Sequence, residues 1–195
     1  MRLQAKLVEA VSPATLRPLT WRSLARGTEL TAKWIIGGAL LLAILVIAGL
    51  TAHKSVRAEI VINASPEEVW SVITDPQTYG EWNPIFIAYE GVFAEGNRLG
   101  LQMKMGEGDA TPVQVLVKEF VPNEWMHQGG GYPVILTYDH NWRLEPLPGG
   151  TRVVQHEDYT GLYVLFWDPA PAQRAYEQGN ANLKAYLEGT KAEPG

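Results

Sequence analysis

Acid–base chemistry is concentrated on one predicted hairpin in the second half of the sequence. His140 lies on its first strand, while His156 and Glu157 lie on its second strand. If Leu144 pairs with Val153, then His140 lies opposite Glu157, and a shift of one residue places His156 there instead. A carboxylate beside a buried histidine can orient the imidazole as a base that removes a proton next to a carbonyl. The pattern favours a simpler interpretation, in which the pair bridges two strands without a reaction.

The sequence offers little support for other reactive sites. It contains no cysteine, which excludes disulfides, thiolate metal sites and cysteine nucleophiles. No HxH or HExxH spacing is present, so we expect no metal, and no phosphate loop or serine nucleophile elbow points to a cofactor or a hydrolase. The run Gly129-Gly130-Gly131 lacks the lysine and the following helix of a phosphate site, and it predicts an edge loop that gates a cavity.

Aromatic residues are the main candidates to line a ligand cavity. They are Trp82, Tyr89, Tyr138, Trp142, Tyr159, Phe166 and Trp167. His140 shares the strand parity of Trp142, and His127 shares that of Trp125, so both histidines are candidates to face the same interior. Gly179 weakens its helix by about 1 kcal/mol relative to alanine, which is offset if the missing side chain leaves cavity volume or lets the helix approach the sheet. The competing interpretations are core packing of the aromatic residues, a solvated His127, and simple tolerance of Gly179 near the middle of its helix.

The elements that position these residues begin with a strand over 56–62, where apolar and polar side chains alternate. Ser65-Pro66-Glu67-Glu68 predicts a capping box and a helix start, and a short aromatic segment follows at 79–84. About six strand signals come next, ending with the hairpin at 135–159. Asp168-Pro169 predicts the start of a long terminal helix. This order predicts an α+β fold, in which a curved antiparallel sheet wraps around the terminal helix and leaves room for a cavity.

Five stretches carry a resemblance to a known superfamily through their order and spacing. They are Asn63–Trp70, Trp82–Pro84, Gly149–Val153, Glu157–Leu162 and Asn182–Glu188. The chain after residue 54 resembles the START-like helix-grip superfamily, in its SRPBCC or polyketide cyclase/dehydratase-like branch. The resemblance implies the helix-grip fold and a deep apolar cavity for a lipid, a polyketide or another hydrophobic molecule. It does not imply one chemistry, because the superfamily contains carriers, cyclases and proteins with no known reaction.

A transmembrane helix is predicted before this domain. Residues 34–52 form an apolar run without charged side chains, which is nearly long enough to cross a hydrocarbon core of about 30 Å. Lys33 and Lys54 bracket the run and can extend their ammonium groups to the two interfaces. A cleaved signal peptide is the alternative, but the segment before the run is long for a signal sequence.

The charge distribution predicts how the chain is oriented. Residues 1–54 carry a net charge of +5, and residues 55–195 carry a net charge of −10. An acidic domain argues against nucleic-acid binding, because phosphates require a basic surface. The basic excess before the apolar run predicts that residues 1–33 are a cytoplasmic arm and that the domain at residues 55–190 is extracytoplasmic.

Together these observations predict a single-pass membrane protein whose domain binds a hydrophobic small molecule or lipid beside the bilayer. Two alternatives are open. One is a cyclase/dehydratase-type enzyme that uses His140 and Glu157 as an acid–base pair. The other is a structural partner in a membrane complex, with a filled core and no cavity above about 300 Å³. The sequence identifies no particular protein partner.

Overall fold

The computed structural model describes residues 21–104 and 108–189. Its elements are α1 (Trp21–Thr51), β1 (His53–Ile62), α2 (Pro66–Ile73), α3 (Tyr79–Trp82), β2 (Phe86–Glu90), β3 (Arg98–Met103), β4 (Thr111–Val121), β5 (Trp125–Tyr132), β6 (Leu136–Leu147), β7 (Gly150–Thr160), a 3-10 helix (Leu162–Leu165) and α4 (Ala170–Leu187). After α1 these elements follow the order that the sequence predicts. The chain divides into two compact units whose boundary lies inside α1, between Ala43 and Ile44.

α1 contains a segment that is long and apolar enough to cross a membrane. This segment is Thr31–Thr51, with a mean hydropathy of 2.4, and it overlaps the run predicted at residues 34–52. The helix itself begins earlier, at Trp21, inside the stretch predicted to be an arm. Residues 1–20 of the predicted arm lie outside the described residues.

The seven strands form one antiparallel sheet in the order β1-β7-β6-β5-β4-β3-β2. From β2 to β7 each strand pairs with its neighbour in the chain, and β1 pairs with β7. The sheet curls into a half-barrel, because strand twist accumulates across it and an irregularity between Val117 and Glu119 bends β4. The predicted α+β helix-grip fold is confirmed.

The start of α2 carries the predicted side-chain cap, whereas the N-cap residue of α4 is Pro169, which makes no side-chain cap hydrogen bond. Ser65 Oγ accepts a hydrogen bond from Glu68 N at 3.3 Å, and Glu68 Oε2 accepts one from Ser65 N at 2.7 Å, so the predicted capping box of α2 is confirmed. Before α4, Asp168 Oδ1 accepts a hydrogen bond from Ala170 N at 3.0 Å. These bonds satisfy backbone donors that the first turns leave unpaired.

α4 covers the inner face of the curled sheet with one side of the helix. Its buried residues recur at helical spacing, and they are Ala172, Tyr176, Gly179, Asn180 and Leu183. Leu183 belongs to the main core, which α2, α3 and the sheet complete. Ala172 and Tyr176 belong to a second cluster near the start of the helix. The apolar contacts of α4 are thus divided between its two ends.

The glycine run that predicts a gating loop is part of β5 instead. Gly129, Gly130 and Gly131 pair with β6 without a break. A Cβ at Gly130 would lie 2.5 Å from the hydroxyl oxygen of Tyr138, and this hydroxyl donates a hydrogen bond to Gln114 O at 2.9 Å. The missing side chain therefore makes room for the Tyr138 ring over β5. The prediction of an edge loop was wrong because the pattern of one strand does not show what its neighbour needs.

Candidate functional site

A cavity of about 340 Å³ lies between α4 and the curled sheet. Its lining is mainly aliphatic and aromatic, with a few polar side chains. The lining residues are Ile85, Phe86, Tyr89, Leu101, Met103, Val113, Val115, Gln128, Leu136, Tyr138, His140, Glu157, Tyr159, Tyr163, Trp167, Ala172 and Tyr176. This composition is typical of small-molecule sites, which are mostly apolar with a small number of placed polar groups.

The cavity lies at the end of the sheet where β1 and α4 begin. At this end His53 of β1 pairs with Thr160 of β7. Tyr163 of the 3-10 helix lines the cavity and is 54% exposed. Part of the cavity lining therefore lies at the protein surface, at Tyr163.

Glu157 is the carboxyl group of the cavity wall, and two tyrosines bind it. The hydroxyl of Tyr159 donates a hydrogen bond to Glu157 Oε2 at 2.7 Å, and the hydroxyl of Tyr176 donates one to the same oxygen. Glu157 is only 5% exposed. Burial raises the pKa of Glu157 to about 7, although the hydrogen bonds from the two tyrosines act in the opposite direction. A carboxyl group with this pKa can both donate and accept a proton near neutral pH.

His140 lies opposite Glu157 in the strand register, which is the first of the two pairings that the sequence allows. Its imidazole contacts a different side chain, because Nε2 lies 3.0 Å from Gln155 Nε2. An amide nitrogen only donates, so Nε2 accepts and the neutral ring carries its proton on Nδ1. Burial lowers the pKa of His140 to about 3. His140 is therefore a neutral hydrogen-bonding group at neutral pH, and a much weaker base than the predicted His–carboxylate pair requires.

The cavity lining contains one carboxyl group and no lysine or arginine side chain among the residues that the structure describes. Gln128 adds a second uncharged polar group to the wall, with its Nε2 at 3.1 Å from Met126 Sδ. Since His140 is neutral, the wall offers hydrogen bonds but no positive charge. An uncharged polar group suits this wall better than an anion does, because a buried anion needs a charged partner.

Five of the ten candidate cavity residues line the cavity. They are Tyr89, Tyr138, His140, Tyr159 and Trp167. That these residues contact a ligand stays a prediction.

The other predicted residues lie elsewhere. Trp82 and Trp142 pack in the main core, with ring centroids 6.2 Å apart. Phe166 projects from the surface and is 90% exposed. Gly179 faces Pro84, and a Cβ there would lie 3.4 Å from Pro84 Cδ, an ordinary contact. Neither cavity volume nor steric exclusion explains this glycine.

His127 lies on the outer face of the sheet, which corrects the expectation that it faces the interior. Its Nε2 lies 2.9 Å from Asp139 Oδ1, and Lys118 binds the same carboxylate. The buried residues of β5 are Met126, Gln128 and Gly129. The parity that links His127 with Trp125 holds, but both side chains point away from the core.

Sequence reasoning missed the side chains that bind the polar wall. Tyr176 binds Glu157, and Gln155 binds His140. The only available signal was the place of Tyr176 on the apolar face of the terminal helix.

Asn180 lies one turn beyond Tyr176. It is almost fully buried, and neither of its side-chain polar atoms has a partner among the described residues.

The outer face of the sheet carries the remaining histidines. Asp158 Oδ1 lies 2.8 Å from His53 Nε2, and Asp158 Oδ2 lies 3.6 Å from His156 Nδ1. Within residues 21–104 and 108–189, no group of three or more histidine, cysteine, aspartate or glutamate side chains is placed to hold a metal ion. Asp158 therefore lies between the two histidines on this face.

Solved structures of several bacterial proteins share this fold. A protein from Rhizobium leguminosarum is 20% identical, and the match covers 70% of this chain and 95% of that chain with a TM-score of 0.57. A protein from Rhodobacter sphaeroides is 17% identical over 70% of this chain and 93% of that chain, with a TM-score of 0.60. A protein from Mesorhizobium loti is 20% identical over 71% of this chain and 99% of that chain, with a TM-score of 0.55. At such identities the likeness shows the fold alone.

Sequence comparison identifies the family. No curated protein matches the chain. Residues 53–188 match the family described as polyketide cyclase / dehydrase and lipid transport. The matched range runs from the start of β1 to the end of α4, and it includes every residue that lines the cavity. The chain therefore belongs to the polyketide cyclase / dehydrase and lipid transport family.

Proposed function

We propose that this protein is a membrane-anchored domain that binds an uncharged hydrophobic small molecule or lipid in the cavity beneath α4. The observation that carries the proposal is the cavity itself, about 340 Å³ of space between α4 and the sheet. Small-molecule sites have volumes of about 300 to 1,000 Å³. A structural partner with a filled core is disfavoured, because such a domain has no reason to keep this space empty of side chains.

Apolar contact supplies most of the binding free energy in this proposal. Ile85, Leu101, Val113 and Val115 present aliphatic surface to the cavity. Burying a ligand against such surface stabilises the complex by about 25 cal/mol per Å², before the costs of ordering the ligand and the protein. The ligand is therefore expected to be mostly hydrocarbon.

The polar wall selects the chemistry of the ligand's one polar group. Glu157, His140 and Gln128 can exchange hydrogen bonds with a hydroxyl or carbonyl oxygen. A carboxylate is disfavoured, because the wall lacks a positive charge and Glu157 is partly ionised at neutral pH. This supports an alcohol, ketone or ester rather than a free acid.

The apolar segment of α1 supports the membrane part of the proposal. Thr31–Thr51 has the length and hydropathy of a single span, and the long basic stretch before it is atypical of a cleaved signal sequence. By the positive-inside rule, the N-terminus lies in the cytoplasm and the acidic domain lies outside it. Tethering raises the effective concentration of the cavity at the bilayer surface.

Mass spectrometry of the full chain tests the proposal. We expect native spectra of protein released from detergent micelles to show a bound hydrophobic molecule that carries no carboxylate, and denaturation should release it for identification. Repeated preparations from the native membrane without any bound molecule would contradict the proposal, as would a bound free acid.

Proton transfer is a second candidate function, and the pKa of Glu157 favours it specifically. A buried carboxyl group whose pKa lies near 7 suits a general acid or base. In a cyclase/dehydratase-type reaction Glu157 would hold the proton, while Tyr159 and Tyr176 would position its carboxyl group. His140, whose pKa is lowered, would only donate a hydrogen bond.

Glu157→Gln separates the two functions, because glutamine keeps the size of the side chain but cannot titrate. An enzyme would lose turnover while it still binds the same molecule. A binding protein would retain the bound molecule, and the purified wild-type chain would return it chemically unchanged after prolonged incubation.

A further inference from the structure

Exposed apolar side chains lie on two neighbouring segments at the exposed end of the cavity, the turn between β5 and β6 and the 3-10 helix with the residue after it. We call this group the mouth patch, and its members are Tyr132, Ile135, Tyr163, Leu165 and Phe166. Tyr163 belongs both to the mouth patch and to the cavity lining. Phe166 is 90% exposed. Large apolar side chains gathered at one place on a surface indicate a site that contacts another apolar phase.

The mouth patch is attached to the last two turns of α1, which belong to the same compact unit as the domain. The patch lies on two loops, the turn between β5 and β6 and the segment that begins at Gly161. A Cβ at Gly49 would lie 2.5 Å from Val134 O in the first loop and 3.1 Å from Leu162 Cγ in the second, so α1 requires glycine at this contact. Gly161 N donates a hydrogen bond to Ala52 O at 3.1 Å. These contacts place the patch beside the end of the candidate span.

The two loops of the mouth patch are also bonded to each other. Leu162 N donates to Val134 O at 2.8 Å, and Tyr163 N donates to Ile135 O at 3.0 Å. Val134 has a φ of 70°, a region that β-branched residues avoid. The surrounding contacts therefore hold the loop in this conformation, which keeps its apolar side chains at the surface.

From this arrangement we propose that the mouth patch inserts into the boundary between headgroups and acyl chains of the bilayer that α1 crosses, so that the cavity opens into lipid. This inference rests on the proposed function, because it requires α1 to be an anchor. β1 begins at His53, two residues after α1 ends at Thr51. A chain of that length spans only about 7 Å. The patch therefore lies within reach of the interface, where tyrosine and phenylalanine are favoured.

At the opposite end of the sheet, the exposed large apolar residues that the structure describes come from four separate segments. They are Val61 of β1, Val92 between β2 and β3, Val121 at the end of β4 and Leu147 at the end of β6. None of the four lines the cavity. The proposal that this end of the domain faces lipid therefore rests on the position of the mouth patch and not on the hydrophobicity of the surface as a whole. If the cavity opens into lipid, the ligand resides in the bilayer and reaches the cavity without crossing water.

A spin-label experiment on the full chain tests this orientation. The sequence has no cysteine, so Phe166→Cys creates a single labelling site, and Val92→Cys creates a matched exposed control. Each variant is labelled with a nitroxide and reconstituted into phosphatidylcholine vesicles. Collisions of the label with oxygen and with a water-soluble nickel chelate are then measured by electron paramagnetic resonance.

We expect the label at residue 166 to lose its collisions with nickel and to keep its collisions with oxygen, while the label at residue 92 collides with both. Equal nickel collisions at the two sites, in protein that floats with the vesicles, would overturn the inference but leave the anchor in place. Shielding from both reagents, or dipolar broadening between labels, would overturn it in favour of a protein contact. Protein that fails to float would overturn both the anchor and the docking. If the label at residue 166 lies in lipid but the protein binds no hydrophobic molecule, the result would refute only the proposed ligand binding.

Discussion

The hydroxyl of Tyr176 on α4 donates a hydrogen bond to Glu157 Oε2 on β7, and this bond joins the terminal helix to the sheet at the cavity wall. Both side chains are buried. Buried hydrogen bonds to an ionisable group are stronger than those between neutral groups, and losing one partner leaves the other unpaired. The bond therefore contributes to stability and also opposes the rise in the pKa of Glu157 that burial causes.

Tyr176→Phe is expected to lower the free energy of unfolding by about 1–3 kcal/mol, because it leaves a buried carboxyl group with one donor fewer. It should also raise the pKa of Glu157 further, since the Tyr176 hydroxyl lowers that pKa in the wild type. Thermal unfolding measures the first effect, and carbon-13 NMR of a labelled Glu157 carboxyl group measures the second. Tyr186→Phe, on the exposed side of the same helix, is the control and should change neither quantity.

Glu157 and His140 should influence stability in opposite directions as the pH changes. Burial raises the pKa of Glu157 from 4.5 to about 7. The stability that this group contributes is therefore fully present below pH 4.5 and is lost as the pH rises through 7. Burial lowers the pKa of His140 from 6.5 to about 3. Its effect on stability is therefore absent above pH 6.5, and the protein loses stability as the pH falls from 6.5 toward 3. Between pH 4.5 and 6.5 the two effects cancel.

Single substitutions should expose these opposite slopes. Relative to the wild type, Glu157→Gln should lose stability as the pH falls from 6.5 to 4.5, because only the effect of His140 remains. His140→Gln should lose stability as the pH rises from 4.5 to 7. Each slope is at most about 1.4 kcal/mol per pH unit. Unfolding measured at several pH values gives both slopes, and slopes of the same sign in the two variants would contradict the assigned protonation states.

The order of the elements could be predicted because each signal is local. The capping box of α2 and the alternation within each strand depend on residues a few positions apart. The hairpin allowed two registers, and the structure has the one that places His140 opposite Glu157. The partners of these two side chains could not be predicted, because Tyr176 comes from a helix that packs on the sheet only in the folded protein.

The faces of the sheet were harder to predict than its strands. Alternation shows which residues share a face, but it does not show which face is concave. This is why Tyr138 lines the cavity while His127 lies outside. The glycines of β5 were misread for a related reason, since their role depends on the ring of Tyr138 on the neighbouring strand.

The charge of the cavity wall predicts a preference between two matched probes. With equimolar 1-decanol and decanoate at pH 8, we expect 1-decanol to bind the full chain at least about tenfold more tightly, a difference of about 1.4 kcal/mol. Decanoate lacks a cationic partner in the wall and is repelled by ionised Glu157. Native mass spectrometry resolves the two complexes. Decanoate should bind better as the pH falls toward its own pKa, and a preference for decanoate at pH 8 would contradict the proposed ligand class.

The most direct test of the ligand site fills the space beneath α4. Ala172 lines the cavity, so Ala172→Phe should place a ring in it, whereas Ala181→Phe adds the same ring to the exposed side of the same helix. We expect native mass spectrometry to show loss of bound 1-decanol in the first variant and binding at the wild-type level in the second, with both variants folded. Undiminished binding by folded Ala172→Phe would show that the molecule binds elsewhere, and it would contradict a ligand site between α4 and the sheet.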